Sequence, residues 1–329
     1  CIRDSYYYLY SIGVGDIGIS TFRPIDESQI KILQRFRNVF DLAYRRYNDI
    51  TLAEAQAKEA QIELALERVR ARTMAMQSSN ELKEVVANMF DGMKSLGVDP
   101  TVCNIALIDK KTRDTEVWTA HHTDSGLLTY KLFIPHFEHT FRENLLNSFL
   151  NKIPFSTHEL SGELKKSYVE YLLEHVDYSN VPSEIIKSNE NLAVTEDRII
   201  LSAAYMKYGL LIISRSSAIS NDESDILQRF AKVFEQTYTR FLDLQKAEAQ
   251  AKEAQIELAL AKGLNISYLD YHMGAAVTTA ESQKVVEKLA AEYELGISQY
   301  FGEVYLPTVF STPTDQKTTE AVKIIEDLD

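Results

Sequence analysis

The pattern of apolar and polar positions changes period several times along the chain. Residues 6–10, Tyr-Tyr-Tyr-Leu-Tyr, and residues 19–22 read as strand. From 51 to 77 the residues are mainly Ala, Glu, Gln, Lys, Leu and Arg with no Gly or Pro, which predicts helix. Leu52, Ala55, Ile62, Leu66, Val69 and Met76 fall on one seam of alternating three- and four-residue spacing, with Glu59 and Thr73 at its remaining positions. Ser79-Asn80 predicts the cap of a helix ending near Leu96, stopped by Gly97, with Val85, Val86, Met89, Phe90, Met93 and Leu96 as its apolar face. Strands follow at 102–108, 115–121 and 129–135, with a polar turn at 109–114. Helices are expected at 138–151 and 163–175, and a loop at 176–196. Strands 198–205 and 209–214 make a hairpin around Met206-Lys207-Tyr208, and a helix free of Gly and Pro runs from Asp222 to Lys262. Beyond Gly263 the pattern suggests helix at 282–295, strand at 297–310 and helix at 314–328.

One string occurs twice. Residues 53–66, AEAQAKEAQIELAL, recur at 247–260, an offset of 194. Upstream, Ile32-Leu33-Gln34-Arg35-Phe36 matches Ile226-Leu227-Gln228-Arg229-Phe230, Val39-Phe40 matches Val233-Phe234, and Arg46-Tyr47 matches Arg240-Phe241. Asp26-Glu27-Ser28 matches Asp222-Glu223-Ser224 only with a two-residue slip. This period is too long for a solenoid and implies tandem domains, the first a C-terminal fragment of a longer one. The expected organisation is a fragment at 1–50, a helical linker at 51–78, a complete domain at 79–243, a second linker at 244–262 and a small α/β region at 263–329 without assigned function.

Strands grouped in hairpins and flanked by helices give an α+β class with a mostly antiparallel sheet. A seam of about four heptads is a coiled-coil signal, and such a helix is marginal alone in water, so a homodimer through the helical linkers is expected. The same spacing also suits a helix packed on its own domain.

Composition narrows the function classes. A net charge of −13 disfavours nucleic acid as partner, since phosphates require Lys and Arg to neutralise them. No apolar run spans a membrane, so no membrane contact is expected. The two cysteines, Cys1 and Cys103, build neither a disulfide framework nor a zinc site, which fits a cytoplasmic setting.

The stretch from Leu227 to Ala251, with Glu67-Arg68-Val69-Arg70-Ala71-Arg72-Thr73-Met74-Ala75-Met76, resembles the tandem GAF-like sensory regions of Bacteroidetes-type sensor histidine kinases. The resemblance covers residues 5–262 or so and implies cytoplasmic signalling, dimerisation and output through a kinase domain. After Leu260 the sequence departs into Ala261-Lys262-Gly263-Leu264, and 265–329 resembles no family.

Several local patterns mimic chemistry. Gly13-Val14-Gly15-Asp16-Ile17-Gly18 fits a dinucleotide fingerprint, but strand and Pro24 follow where a helix would have to open, so a hairpin turn is expected. His158-Glu159 fits a phosphoacceptor, yet Ser161-Gly162 interrupts any helix. Asn151-Lys152 and Phe155 match the start of a cyclic-nucleotide signature that lacks its later Asp-Glu pair. His121, His122, His136 and His139 lie close in sequence, but the first two are adjacent and face opposite sides of a strand, so no metal site is expected. Cys103 sits among apolar neighbours and reads as a small core residue. No catalytic motif and no cofactor motif is present, so the chain is read as non-catalytic with no cofactor.

A pocket between sheet and helical insert would suit an unknown small molecule, with Trp118, His121, Tyr130, Phe133, Phe141 and Tyr205 as candidate walls. These aromatics equally fill a core. The functional expectation is a sensory and dimerisation region that passes a conformational signal through its helices to a histidine kinase. The alternative is a scaffold for a DNA-binding output outside this chain. A third reading has the C-terminal 65 residues completing an active site.

Overall fold

A computed structural model of the chain describes residues 5–179, 181–194, 198–264, 268–269 and 280–297. The chain divides into two units, Cys1–Leu64 and Ala65–Asp329.

The second unit is built on a six-stranded, wholly antiparallel sheet. Its strands are β3 (Val102–Ile108), β4 (Thr115–Thr123), β5 (Gly126–Ile134), β6 (Phe155–Leu160), β7 (Ile199–Met206) and β8 (Gly209–Arg215), in the order β5-β4-β3-β8-β7-β6. The two hairpins therefore meet along β3 and β8, where Ile105 faces Leu211. Alternation sorts the side chains. Cys103, Ile105, Trp118, Ala120, Leu211 and Ile213 are buried on one face, and Ala106, Val117, Tyr130, Leu132, Ala203, Leu210 and Ile212 on the other.

The first face packs against helices α2 (Leu82–Ser95) and α6 (Asn221–Ala261). Val85, Val86, Met89, Phe90 and Met93 form the buried stripe of α2, as the sequence predicts. Its cap lies one residue earlier than expected. Ser78, not Ser79-Asn80, caps a short 3₁₀ turn over Ser79–Glu81, and the Glu81 carboxylate accepts from the Ser78 N–H. Gly97, with φ of +82°, ends the helix after its last turn. Glycine at position 92 lets α2 approach α6: a β-carbon there would lie 3.1 Å from the Phe230 ring.

The opposite face carries α3 (Thr140–Leu150), α4 (Gly162–His175) and α5 (Ser183–Val194). Helix α5 occupies the segment expected to be loop. Pro182 starts it, and Ile185 anchors it in the core at 0% exposure. Strand β6 was also absent from the sequence expectation; it adds to the sheet edge through β7, with Phe155 opposite Ala204. It puts His158 and Glu159 on a strand. Beyond α6, two-residue strands β9 (Tyr268–Leu269) and β10 (Gly296–Ile297) pair in parallel, with α7 (Ala280–Glu292) between them. Most of the strand expected at 297–310 and all of the helix expected at 314–328 lie outside the described residues.

In the first unit, β1 (Tyr6–Ser11) and β2 (Asp16–Thr21) form a hairpin ahead of α1 (Glu27–Met74), whose last turns from Ala65 belong to the second unit. Gly13, with φ of +87°, sits in the hairpin turn, and the Ile12 N–H donates to the Gly15 carbonyl at 2.9 Å. The glycine pattern thus serves a strand-to-strand turn.

The repeat extends to backbone register. Tyr10 pairs with Ile17, and Tyr205 with Leu210. At the 194-residue offset Tyr10 and Ile17 become Ala204 and Leu211, which also pair, so the two ladders share one register, although the first closes around residues 12–15 and the second around Lys207-Tyr208 alone. The helix caps correspond as well. The Asp26 carboxylate accepts from the Gln29 N–H at 2.9 Å and the Gln29 side chain accepts from the Asp26 N–H at 3.0 Å. Ser220 and Glu223 make the same reciprocal pair. Asp26 therefore aligns with Ser220 at the unbroken offset, and the two-residue slip expected from sequence is withdrawn.

The coiled-coil seam divides in two. Leu66, Val69 and Met76 are buried in this single chain, as is Thr73, whose hydroxyl donates to the Val69 carbonyl. They belong to the core of their own unit and are not free to face a second chain. Ile62 is also buried, whereas Leu52 and Ala55 are exposed. Heptad spacing identifies an apolar stripe but not what covers it.

Candidate functional site

A cavity of about 580 Å³ lies between the sheet and the helices α3 and α4. Its floor follows from strand periodicity. Asn104, Ala106 and Ile108 of β3, Thr115, Val117, Thr119 and His121 of β4, and Tyr130, Leu132 and Ile134 of β5 all face it. Phe141, Arg142, Leu145 and Leu146 close it from α3, and Tyr168, Val169 and Leu172 from α4.

The polar groups are few and mostly satisfied. The Thr119 hydroxyl donates to Asn104 Oδ1 at 2.8 Å. Burial raises the Tyr130 phenol well above its ordinary value, with Thr119 opposing that shift. Burial lowers the His121 imidazole, while the Glu184 carboxylate raises it and the neighbouring His122 lowers it further.

Arg142 stands apart. Its side chain is 6% exposed. Nη2 donates to Thr115 Oγ1 at 2.7 Å, to the Arg113 carbonyl at 3.2 Å and to the Ile134 carbonyl at 3.5 Å. The guanidinium carbon lies 5.4 Å from the centre of the Phe137 ring. Nε finds no acceptor. Burial lowers the guanidinium from its usual value; the Tyr168 phenol raises it, with Asp114 and Glu143 weaker in the same direction. Arginine stays charged even so.

Of the six aromatic positions nominated from sequence, His121, Tyr130 and Phe141 lie in the cavity wall. Trp118 and Phe133 do not. Trp118 pairs across the ladder with Lys131, so both take the opposite face, where the indole N–H donates to Glu116 at 2.7 Å and Lys131 Nζ sits 4.7 Å from the ring centre. Phe133 shares that parity and is 54% exposed. Tyr205 points to β6, where its hydroxyl lies 2.7 Å from Ser156 Oγ and 3.2 Å from His158 Nε2. Arg142 was missed, yet a sequence signal exists. It sits three, four and seven residues before Leu145, Leu146 and Phe149, on the stripe that α3 buries.

The remaining sequence features take structural places. His122 turns away from the cavity and stacks on Phe90 at 6.2 Å. His139 caps α3, its Nδ1 accepting from the Phe141 N–H at 3.3 Å. Among the described residues, no group of three or more His, Cys, Asp or Glu is placed to hold a metal ion. Cys103 is fully buried and burial pushes its thiol up, away from reactivity. Among the described residues, no helix is long and apolar enough to cross a membrane.

No family model, curated protein or solved structure matches this chain.

Proposed function

We propose that this chain is a sensory and dimerisation region of GAF-like type in a cytoplasmic signalling protein, with a histidine kinase as its output. The carrying observation is the arrangement of the second unit: one face of the sheet walls a largely apolar cavity, and the other face is laid against α2 and the start of the 41-residue α6. A molecule that fills the cavity presses on β3, β4 and β8, whose opposite-face side chains touch those helices. Close-packed interiors transmit such displacement instead of absorbing it. Helix α6 then carries it onward, because no Gly or Pro interrupts it and it keeps hydrogen-bonded geometry to Ala261.

Pairing with a second copy makes the readout cooperative. Leu244, Leu258 and Leu260 of α6 and Leu52 of α1 are all exposed in the single chain, and long helices of this composition gain most of their stability from a partner. The test is an insertion of four residues after Gln250, which rotates everything downstream by about 40°. In the complete signalling protein the output is expected to invert or lock; unchanged output contradicts transmission through α6.

A further inference from the structure

We infer that the cavity takes an apolar molecule carrying a single carboxylate, and that Arg142 receives that carboxylate. This inference rests on the reading of the cavity as a ligand site and adds the chemical class of the ligand.

Charge distribution is the first argument. The chain holds 48 Asp and Glu against 35 Lys and Arg. Among the described residues the cavity wall reverses that balance: it contains Arg142, Arg198, Arg215 and His121, and no Asp or Glu. Two of these arginines are already engaged. Arg215 holds both carboxylate oxygens of Glu223, at 2.7 and 3.0 Å, in the cap of α6. Arg198 is 60% exposed, 3.9 Å from Glu159. Arg142 is the buried member, and none of the described carboxylates forms an ion pair with it.

The second argument is the unfilled valence of that guanidinium. A buried charge without counter-ion is costly, and sites that tolerate one have a partner for it. Arginine offers five N–H donors. Here Nη2 makes the hydrogen bonds to Thr115, Arg113 and Ile134, the Tyr168 phenol is a further hydrogen-bond partner, and the buried Nε has no acceptor. Those bonds hold the guanidinium in the cavity wall, where none of the described carboxylates pairs with it. A carboxylate is the planar, two-oxygen group that matches arginine.

The rest of the wall defines the body of the ligand. Leu132, Ile134, Phe141, Leu145, Leu146 and Leu172 present hydrocarbon and aromatic surface. Of the polar groups on the floor, the Thr119 hydroxyl is engaged by Asn104 Oδ1. A molecule with many hydroxyls or a second charge would leave polar groups unpaired against this wall.

The experiment is calorimetric titration of the full chain with decanoate and 4-phenylbutyrate, and with the corresponding alcohols decan-1-ol and 4-phenylbutan-1-ol. The same titrations are made on Arg142→Met and Arg142→Lys. At least one carboxylate is expected to bind the native chain about tenfold to a hundredfold tighter than its alcohol. Arg142→Met is expected to abolish that preference while keeping alcohol binding, and Arg142→Lys to keep part of it. Equal affinity for acid and alcohol in the native chain overturns the carboxylate assignment and leaves the cavity as a neutral-ligand site. A carboxylate preference that survives in folded Arg142→Met overturns Arg142 as the receiving group. No binding of any of the four molecules overturns the ligand-site reading itself. The native acid-to-alcohol comparison stands even where a variant fails to fold.

Discussion

Replacing Gly209 by alanine is expected to unfold or nearly unfold the second unit, while Gly15→Ala, its counterpart in the repeat, leaves stability unchanged. The two glycines open β8 and follow the turn before β2, 194 residues apart. At Gly209 a β-carbon would collide with the carbonyl oxygen of Ala106 and lie 2.9 Å from its carbonyl carbon. Both are backbone atoms of β3, a central strand, so nothing can swing aside. Relief requires opening the junction that joins the two hairpins, where Leu107 pairs with Gly209. A loss of about 4 kcal/mol or more is the expected scale, comparable to the largest single-site effects. At Gly15 no atom comes within 4 Å of an added β-carbon. Chemical denaturation with tryptophan emission reports the second unit, since Trp118 lies in its core. Equal stability of the two variants would contradict the β3–β8 junction.

The second large effect is Phe230→Ala against Phe36→Ala. Sequence alone treats these two phenylalanines as equivalent. In the structure Phe230 is 0% exposed, seated over Gly92 of α2, and Phe36 is 65% exposed. Truncating a fully buried phenylalanine costs about 3–5 kcal/mol, so Phe230→Ala should lower the denaturation midpoint of the second unit sharply. Phe36→Ala should stay within about 0.5 kcal/mol of the parent. Thermal unfolding of both variants checks this. A matching loss at Phe36 would mean that this face of α1 is covered in solution.

These pairs show what the sequence could and could not convey. The repeated strings fixed two hairpin-plus-helix segments, and the structure extends that equivalence to ladder register and helix caps. Strand positions were legible wherever a hairpin supplied turn residues. The faces were less legible, because β4 is covered on both sides: Val117, Trp118, Thr119, Ala120 and His121 are all buried, so polar alternation disappears. Aromatic character then suggested Trp118 and Phe133 as cavity walls, although parity with Lys131 sends them the other way. Strand β6 and helix α5 escaped notice for a different reason. Phe155–Leu160 is a polar edge strand, and α5 carries Ser and Asn residues that favour turns, so tertiary contacts such as those of Ile185 decide both. Arg142 was hidden by its type, since an arginine is assumed to face water.

The seam on α1 carries a similar lesson. Spacing placed Leu66, Val69 and Met76 in one stripe with Leu52 and Ala55, but an apolar stripe is neutral about its partner. The chain itself buries the first three and leaves the last two open. The pairing surface is thereby narrowed to Leu52 and Ala55 of α1 and to Leu244, Leu258 and Leu260 of α6.

Signalling through α6 depends on those long helices finding a second copy. Its most direct test is the absolute mass of the full 329-residue chain in solution, by light scattering coupled to size exclusion. Twice the mass of one chain is the predicted result. A single chain's mass, held up to the highest concentration reached, would contradict helix pairing and leave the second unit as a cavity-bearing domain that works alone.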